Sequence, residues 1–159
     1  MARVSKIMLT DVPTLKKENR IEDAARLLTK TENGCLVIVE NDVPIGILTE
    51  LDIVRHIKSA KGSLKQPISS IMSSPITFMT PHTKLDEALK MIDTKRFRKY
   101  PVIENNRLVG LATKNDVVLA ISDNMKFHRA IQNIVLILFV LFELFVFILY
   151  EPLKQYLGG

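Results

Sequence analysis

The sequence predicts an α+β fold made of two β-α-β-β-α repeats packed as a pair, followed by a long C-terminal apolar helix. Three observations support this prediction. Landmarks in the first half of the chain recur 64 residues later without an insertion. Both halves show the same order of strand and helix patterns, and residues 134–150 are apolar apart from one acid and a terminal tyrosine. A chain of 159 residues has room for one ordinary domain and an appendage.

The repeat is clearest in two nine-residue stretches, GILTELDIV at 46–54 and GLATKNDVV at 110–118. The glycine, the threonine and the aspartate of one stretch fall on those of the other. The same shift superimposes further landmarks: Ile7-Met8 on Ile71-Met72, Glu22-Asp23-Ala24 on Asp86-Glu87-Ala88, and Glu40-Asn41 on Glu104-Asn105. One register held over so many positions indicates an internal duplication.

Each repeat is predicted to open with a short strand, at 12–15 and 75–79, and a helix. Asn19 and Thr83 are the predicted N-caps. An acid follows each of them three residues later, Glu22 or Asp86, which is the spacing of a capping box. One apolar face at helical period is expected on the helix of the second repeat, formed by Leu85, Ala88, Leu89 and Ile92.

Each repeat is predicted to close with a β-hairpin and a second helix. Asn41-Asp42 and Asn105-Asn106 separate the paired strands, and these residue types tolerate the positive φ of a tight turn. The strands are expected at 36–39 and 45–48, then at 100–104 and 108–111, and the second helices at 51–58 and 115–122. Neither repeat is large enough to bury much of a core alone, so the two should pack on each other. The predicted boundaries are 4–60 for the first repeat, 61–70 for the connection and 71–124 for the second repeat.

Composition excludes several classes of site. The single cysteine, Cys35, cannot form an internal disulfide, and it does not lie at metal-site spacing from the three histidines. No catalytic triad is recognisable in the sequence. Residues 1–129 hold 21 basic and 15 acidic residues, a net charge of +6, which suits anionic partners such as nucleotides, nucleic acids or lipid headgroups.

The Thr-x-x-Asp segment at each strand-to-helix junction has two interpretations. A threonine and an acid at these positions cap a helix, because the hydroxyl accepts from a free backbone N–H and the acid is favoured by the helix dipole. The same free N–H groups attract phosphate, and a nearby carboxylate can accept hydrogen bonds from ribose hydroxyls. Both interpretations apply to Thr49 with Asp52 and to Thr113 with Asp116.

Two β-α-β-β-α copies, each with a Gly-apolar-x-Thr-x-x-Asp junction, resemble a tandem pair of cystathionine-β-synthase (CBS) domains. The resemblance covers residues 4–124. It implies a regulatory module rather than an enzyme, a face-to-face homodimer, and an adenine nucleotide (AMP, ADP or ATP) or S-adenosylmethionine as ligand. No covalent cofactor is implied, and whether Mg²⁺ accompanies the ligand stays open. In the family the aspartate binds ribose, the threonine lies near ribose and phosphate, and the first strand lends backbone groups to adenine.

Carried over by position, the resemblance implies two nucleotide sites that share a cleft. The preferred site combines the second repeat's own residues with the basic cluster that precedes its hairpin: Ile76, Thr77, Arg98, Lys99, Tyr100, Pro101, Thr113, Lys114 and Asp116. The second site has Val12, Pro13, Thr49 and Asp52. Because Glu50 stands where the other copy has Lys114, we expect phosphate to favour the Asp116 site, although Arg98 could serve either.

The basic cluster at 95–99 has other interpretations. Basic residues at a helix end complement the dipole and keep a surface soluble, or they contact anionic lipid. Nucleic-acid binding is not favoured, since Phe97 is the one aromatic residue within the run and no nucleic-acid reading module is recognisable.

The apolar run predicts a membrane span at 130–150, with a short tail at 151–159. Twenty-one helical residues at about 1.5 Å each cross a bilayer core of about 30 Å. Fifteen Leu, Ile, Val or Phe residues contribute about −4.5 to −9 kcal/mol, which exceeds the cost of about 2.5 to 3.5 kcal/mol for one acid. The alternative is a helix buried in a soluble oligomer. Lys126 and Arg129 precede the span, so the repeats should be cytoplasmic.

Glu143, the acid inside this run, also has two interpretations: a protonated carboxyl that bonds locally, or a residue facing another helix. Together, these features predict a membrane-anchored sensor that binds an adenosyl ligand and signals to a partner, which could itself be a membrane protein. The alternative is an anchoring or assembly protein whose repeats mediate oligomerisation or lipid contact without a nucleotide.

Overall fold

The computed structural model describes residues 2–59, 62–95 and 97–157. Contacts divide the chain into two compact units, Met1–Leu119 and Ala120–Gly159. The first unit contains nearly all of both repeats. In the second unit, the described residues are helical throughout.

The first repeat has the predicted β-α-β-β-α order, with elements that differ from the prediction by one or two residues. They are β1 (Thr14–Lys16), α1 (Ile21–Leu28), β2 (Cys35–Glu40), β3 (Val43–Thr49) and α2 (Glu50–Lys58). The strands form one sheet in the order β1-β2-β3, in which β1 pairs parallel to β2 and β2 pairs antiparallel to β3.

The second repeat keeps the same order but not the full opening strand. Its elements are α3 (Leu85–Lys95), β4 (Lys99–Glu104), β5 (Arg107–Thr113) and α4 (Lys114–Leu157), with β4 and β5 paired antiparallel. The strand predicted at 75–79 is reduced to one parallel bridge between Met79 and Val102. Two hydrogen bonds hold this bridge, one from Met79 N to Pro101 O at 3.0 Å and one from Ile103 N to Met79 O at 2.9 Å.

The hairpin turns are as predicted, whereas the first helices start one residue later than predicted. All four turn residues have positive φ: Asn41, Asp42, Asn105 and Asn106. The Asn19 and Thr83 side chains do not cap the helices but accept from the backbone of the preceding turn, at Lys16 N and Thr80 N. The acids that close each cap are one position later as well, since Arg20 N donates to Asp23 and Lys84 N donates to Glu87.

Equivalent positions of the two repeats form the core. Residues 64 positions apart are buried in both: Ile21 and Leu85, Ala24 and Ala88, Leu28 and Ile92, Leu36 and Tyr100, Ile38 and Val102, Ile53 and Val117. The predicted apolar face of α3 is confirmed, with Leu89 half-buried at its edge. In the first repeat, apolar residues of α1 and α2 form one core cluster with Leu36, Ile38 and Leu48 of the sheet.

The two repeats exchange the segments that precede them. We call residues 2–9 the first lead-in segment and residues 66–73 the second. The first lies on the second repeat: Val4 N donates to Thr83 O at 2.9 Å, and Leu9 and Leu111 exchange backbone hydrogen bonds of 2.9 and 2.8 Å. Val4 is fully buried.

The second lead-in segment lies on the first repeat in the same way. Ile68 N donates to Asn19 O at 2.8 Å, and Ser73 and Ile47 exchange hydrogen bonds of 2.9 and 3.1 Å. Ile68 belongs to the core cluster around Ile21. Each repeat therefore completes its core with the lead-in segment that precedes the other repeat in the sequence.

The helix α4 is longer than predicted, because it joins two predicted helices and continues into the predicted tail. The two helices expected at 115–122 and 130–150 are one element, Lys114–Leu157. The predicted tail at 151–159 is helical as far as Leu157, and Gly158-Gly159 lie outside the described residues. Within α4, the 20-residue stretch Arg129–Ile148 is long and apolar enough, by length and composition, to cross a membrane, and none of it is buried.

Candidate functional site

A closed hydrogen-bond ring stands at the start of α2. Thr49 is extended, with φ −118° and ψ 162°, and is the N-cap. Asp52 Oδ2 accepts from Thr49 N at 2.8 Å and from Thr49 Oγ1 at 2.6 Å, while Asp52 N points to Thr49 Oγ1 at 3.4 Å. This is the capping box that the spacing predicts.

The second repeat has the same ring at the start of α4. Asp116 Oδ2 accepts from Thr113 N at 3.0 Å and from Thr113 Oγ1 at 2.7 Å, and Asp116 N donates to Thr113 Oγ1 at 3.2 Å. Both aspartates are half-buried. In both rings, the two hydrogen bonds that the carboxylate accepts within the described chain use Oδ2, so Oδ1 is left for a ligand. The cap therefore orients each carboxylate while using only one of its two oxygens.

The first ring opens on a cavity of about 400 Å³, which we call cavity 1. Three groups of residues line it. They are the junction of the first repeat (Ile47, Thr49, Glu50, Leu51, Asp52 and Arg55), the segment that enters the second repeat (Ser73, Pro75, Ile76 and Thr77), and the wall formed by Gly34, Phe97, Arg98 and Lys99. Cavity 1 thus combines apolar surface, two carboxylates and three basic side chains.

The second ring opens on a larger cavity of about 640 Å³, which we call cavity 2. Its lining is more polar and comes from Leu9, Glu32, Asn33, Gly34, Glu50, Arg98, Lys99, Thr113, Lys114, Asn115 and Asp116. Three acids face three basic residues there. In cavity 1, by contrast, two acids face three basic residues.

The structure corrects the predicted grouping of site residues. Ile76 and Thr77 were expected beside Asp116, but they line cavity 1 with Thr49 and Asp52. The reason is the exchange of lead-in segments, which carries the start of the second repeat across to β3 of the first, where Ser73 pairs with Ile47. Leu9 reaches cavity 2 by the equivalent crossing.

Four other predicted residues line neither cavity. Val12 and Pro13 are half-buried, and the Pro13 carbonyl accepts from Val37 N at 3.1 Å. Tyr100 and Pro101 are buried in β4, with the Tyr100 hydroxyl 3.4 Å from Met91 O. Burial raises the pKa of Tyr100. Tyr100 and Pro101 therefore belong to the interior of the second repeat, whereas Val12 and Pro13 remain partly exposed.

Gly34, Glu50, Arg98 and Lys99 line both cavities, and we call these four residues the shared wall. Lys99 is half-buried, and its Nζ donates to Gly34 O at 2.8 Å. Gly34 has φ +55°, and a Cβ there would lie 3.1 Å from Lys99 Nζ and 3.4 Å from the Glu50 carboxylate. Glycine therefore serves both the backbone angle and the close approach of these charges.

Cys35 follows Gly34 of the shared wall, and the charges of that wall affect the pKa of its thiol. Burial raises the pKa of the Cys35 thiol, while the Lys99 ammonium lowers it and the Glu50 carboxylate adds to the increase. The thiol is therefore protonated at neutral pH, as expected of a buried cysteine in an apolar setting.

Arg55 and Phe97 line cavity 1 but are not among the site residues that the sequence predicts. Arg55 lies one turn after Asp52. Its counterpart in the second repeat is Leu119, and this difference between the repeats is a sequence signal that the two sites differ in charge. Phe97 is half exposed and packs edge-on against Tyr100, with ring centroids 6.3 Å apart. Arg96, in the same basic cluster, lies outside the described residues.

The site has the chemistry of a binding pocket for a small anion-bearing ligand. Helix N-termini, carboxylates with one oxygen available and basic side chains are grouped around cavities of ligand size. Among the described residues, no group of three or more His, Cys, Asp or Glu is arranged to hold a metal ion.

Comparison with known proteins gives the same architecture. Bacillus subtilis CBS domain-containing protein YhcV is 28% identical over 134 residues, covering 84% of this chain and 96% of its own. The CBS domain pair of protein MJ0100, solved in complex with 5′-methylthioadenosine and S-adenosyl-L-methionine, superimposes with a TM-score of 0.69 at 22% identity, covering 77% and 98% of the two chains. CBSX2 in complex with AMP gives a TM-score of 0.68 at 19% identity, covering 79% and 99%. The CBS domain model matches residues 4–59 and 68–123, most of the chain, and the protein therefore belongs to the CBS-domain family.

Proposed function

We propose that this chain is a membrane-anchored regulatory module that binds an adenosyl ligand between its two repeats. The observation that carries the proposal is cavity 1, where a capped helix N-terminus, an available carboxylate oxygen and three basic side chains meet in about 400 Å³. Ligand pockets have volumes of about 300 to 1,000 Å³. The adenosyl ligands of the MJ0100 and CBSX2 structures support the choice of ligand class.

In this proposal each part of an adenosyl ligand has a partner in cavity 1. Oδ1 of Asp52 accepts from the ribose hydroxyls, because Oδ2 is already held by Thr49. The backbone of Ile76 and Thr77 and the exposed ring of Phe97 flank the adenine. Arg55, Arg98 and Lys99 meet a phosphate, for which arginine offers two parallel charge-assisted hydrogen bonds.

Cavity 1, rather than the Asp116 site that the sequence favoured, is our proposed phosphate site. Arg98 and Lys99 line both cavities, so they do not discriminate between them. Arg55 adds a third basic residue to cavity 1, whereas Lys114 of cavity 2 is balanced by Glu32 in addition to Asp116 and the shared Glu50. An anion therefore gains more from cavity 1.

Membrane anchoring is proposed from the Arg129–Ile148 stretch, in which no side chain is buried. Its Leu, Ile, Val and Phe side chains are about half exposed, and a soluble monomer rarely presents so long an apolar surface to water. A bilayer is the solvent that suits it, with the repeats on the cytoplasmic side. Extraction of cell membranes with alkaline carbonate tests this, because a spanning helix stays in the pellet while a peripheral chain is released.

Ligand binding is tested by calorimetric titration of the detergent-solubilised full chain with AMP, ADP, ATP and S-adenosylmethionine. Asp52→Asn removes one acceptor of the proposed ribose contact while an amide oxygen can still close the cap, and Asp116→Asn is the matched change in cavity 2. We expect micromolar binding of at least one nucleotide, lost at least tenfold in Asp52→Asn and retained in Asp116→Asn. Absence of binding below millimolar for all four compounds would instead favour an anchoring or assembly protein without a nucleotide.

A further inference from the structure

The shared wall makes the two cavities dependent on the same positive charges. In the described part of the chain, Arg98 and Lys99 are the two basic side chains that line both cavities. Lys99 cannot move freely from one to the other, because its Nζ is held by Gly34 O at 2.8 Å between them. The amide of Lys114, the first residue of α4, donates to Arg98 O at 2.8 Å and fixes the backbone of this wall as well.

Without these two side chains, the cavities differ in charge. Cavity 1 retains Arg55 against Asp52 and the shared Glu50. Cavity 2 retains Lys114 against Glu32, Asp116 and Glu50. A phosphate in cavity 1 that engages Arg98 and Lys99 therefore leaves cavity 2 with an excess of negative charge.

We propose that the two cavities hold unlike ligands at the same time: a phosphorylated adenosine in cavity 1, and in cavity 2 an adenosyl ligand without phosphate, neutral or cationic. This inference rests on the proposed function and deepens it. Two phosphates would compete for one pair of basic side chains and repel each other across the wall. A neutral or cationic adenosyl ligand has no such conflict and meets the acids of cavity 2.

Equilibrium dialysis of the full chain in detergent, with labelled AMP and labelled adenosine, tests the proposal. We expect the first AMP to bind at least fiftyfold more tightly than a second. AMP at a concentration that fills only cavity 1 should change the affinity of adenosine for cavity 2 less than threefold. In Asp52→Asn, AMP should use cavity 2 with Arg98 and Lys99 available, and should bind there at least fivefold more tightly than the second AMP binds to the unaltered chain.

The shared wall itself is tested by Lys99→Met, with Lys95→Met as the matched control at the exposed end of α3, outside both cavities. Lys99→Met should weaken the first AMP at least fivefold and leave adenosine within threefold, and Lys95→Met should change neither. Two AMP molecules that bind independently, with the second step equal to AMP binding by Asp52→Asn, would overturn the inference while leaving the proposed function intact. Absence of binding for both AMP and adenosine would overturn the two together.

Discussion

A Cβ on Gly110 would lie 2.7 Å from the carbonyl oxygen of Leu9, a residue of the first lead-in segment. The equivalent Cβ on Gly46 would lie 3.0 Å from Met72 Sδ and 3.1 Å from Ser73 O. These glycines are therefore required because a backbone from the other repeat crosses the strand at each of them.

We predict that Gly110→Ala destabilises the protein more than Gly46→Ala. At Gly110 the nearest atom is backbone, which cannot turn aside, and overpacking of this kind costs about 1 to 3 kcal/mol. At Gly46 the nearest atom is the flexible end of a methionine side chain. Thermal unfolding followed by circular dichroism compares the two variants, and an equal or smaller loss for Gly110→Ala would contradict the prediction.

The cap at α2 predicts a second stability effect. Thr49→Ala removes the hydroxyl that donates to the Asp52 carboxylate and accepts from the Asp52 backbone N–H. Loss of an N-cap side chain costs about 0.5 to 2 kcal/mol. Thr49→Ser keeps the hydroxyl and should stay within about 0.5 kcal/mol of the unaltered chain. Urea unfolding measures both, and a Ser variant as unstable as the Ala variant would show that the methyl group matters more than the cap.

The raised pKa of Cys35 predicts that stability falls in alkaline solution. The folded state keeps a proton that the unfolded chain releases above about pH 8.5, the ordinary thiol value. The stabilising contribution is therefore complete below that pH and is lost as the pH rises towards the folded-state pKa. Cys35→Ala should reduce the fall in free energy of unfolding between pH 8 and 10, whatever its effect at pH 7. Identical slopes for the two proteins would show that other groups cause the fall.

We predict that α2 contributes to the homodimer expected for a CBS pair. Leu51, Val54 and Ile57 are more than half exposed along this helix, at 53, 59 and 55%. Val54→Glu should shift the detergent-solubilised chain from dimer towards monomer in size-exclusion chromatography with light scattering. Lys58→Glu, a charge change at the exposed end of the same helix, is the control. A Val54→Glu variant that remains dimeric would place the contact elsewhere.

Glu143 provides the fifth prediction. This exposed acid lies within the Arg129–Ile148 stretch, where an unpaired carboxyl is costly in a bilayer and favours a helix–helix contact. Glu143→Leu should leave carbonate-resistant membrane association unchanged and reduce chemical crosslinking between copies or to a membrane partner. Phe142→Leu is the matched control. If crosslinking is the same in all three proteins, Glu143 bonds locally.

Most elements of the first unit can be predicted from the sequence, because their signals are local. The positive-φ turns, the Thr-x-x-Asp caps and the apolar stripe of α3 each depend on residues a few positions apart. The first helices begin one residue later than predicted, because Asn19 and Thr83 stabilise the preceding turns. An asparagine or threonine side chain can either cap a helix or stabilise a turn, and the path of the backbone determines which of the two it does.

The sequence does not predict which site residues share a cavity, because the repeat is compatible with two arrangements of the lead-in segments. A lead-in segment that packs on its own repeat and one that packs on the other leave the same 64-residue periodicity. Gly46 and Gly110 signal a close approach of backbone, but they do not say which segment approaches. Ile76 and Thr77 line cavity 1, although the sequence predicts them beside Asp116.

The exchange of lead-in segments has a consequence for the origin of the chain. Ile68 completes the core of the first repeat and Val4 occupies the equivalent buried position in the second, so neither repeat closes its core without the other. Two separate copies of a one-repeat ancestor would make the same reciprocal contacts as a segment-swapped dimer. Gene fusion would then have kept these reciprocal core contacts, while allowing each half of the former symmetric pair to acquire its own charges, such as Glu50 in one and Lys114 in the other.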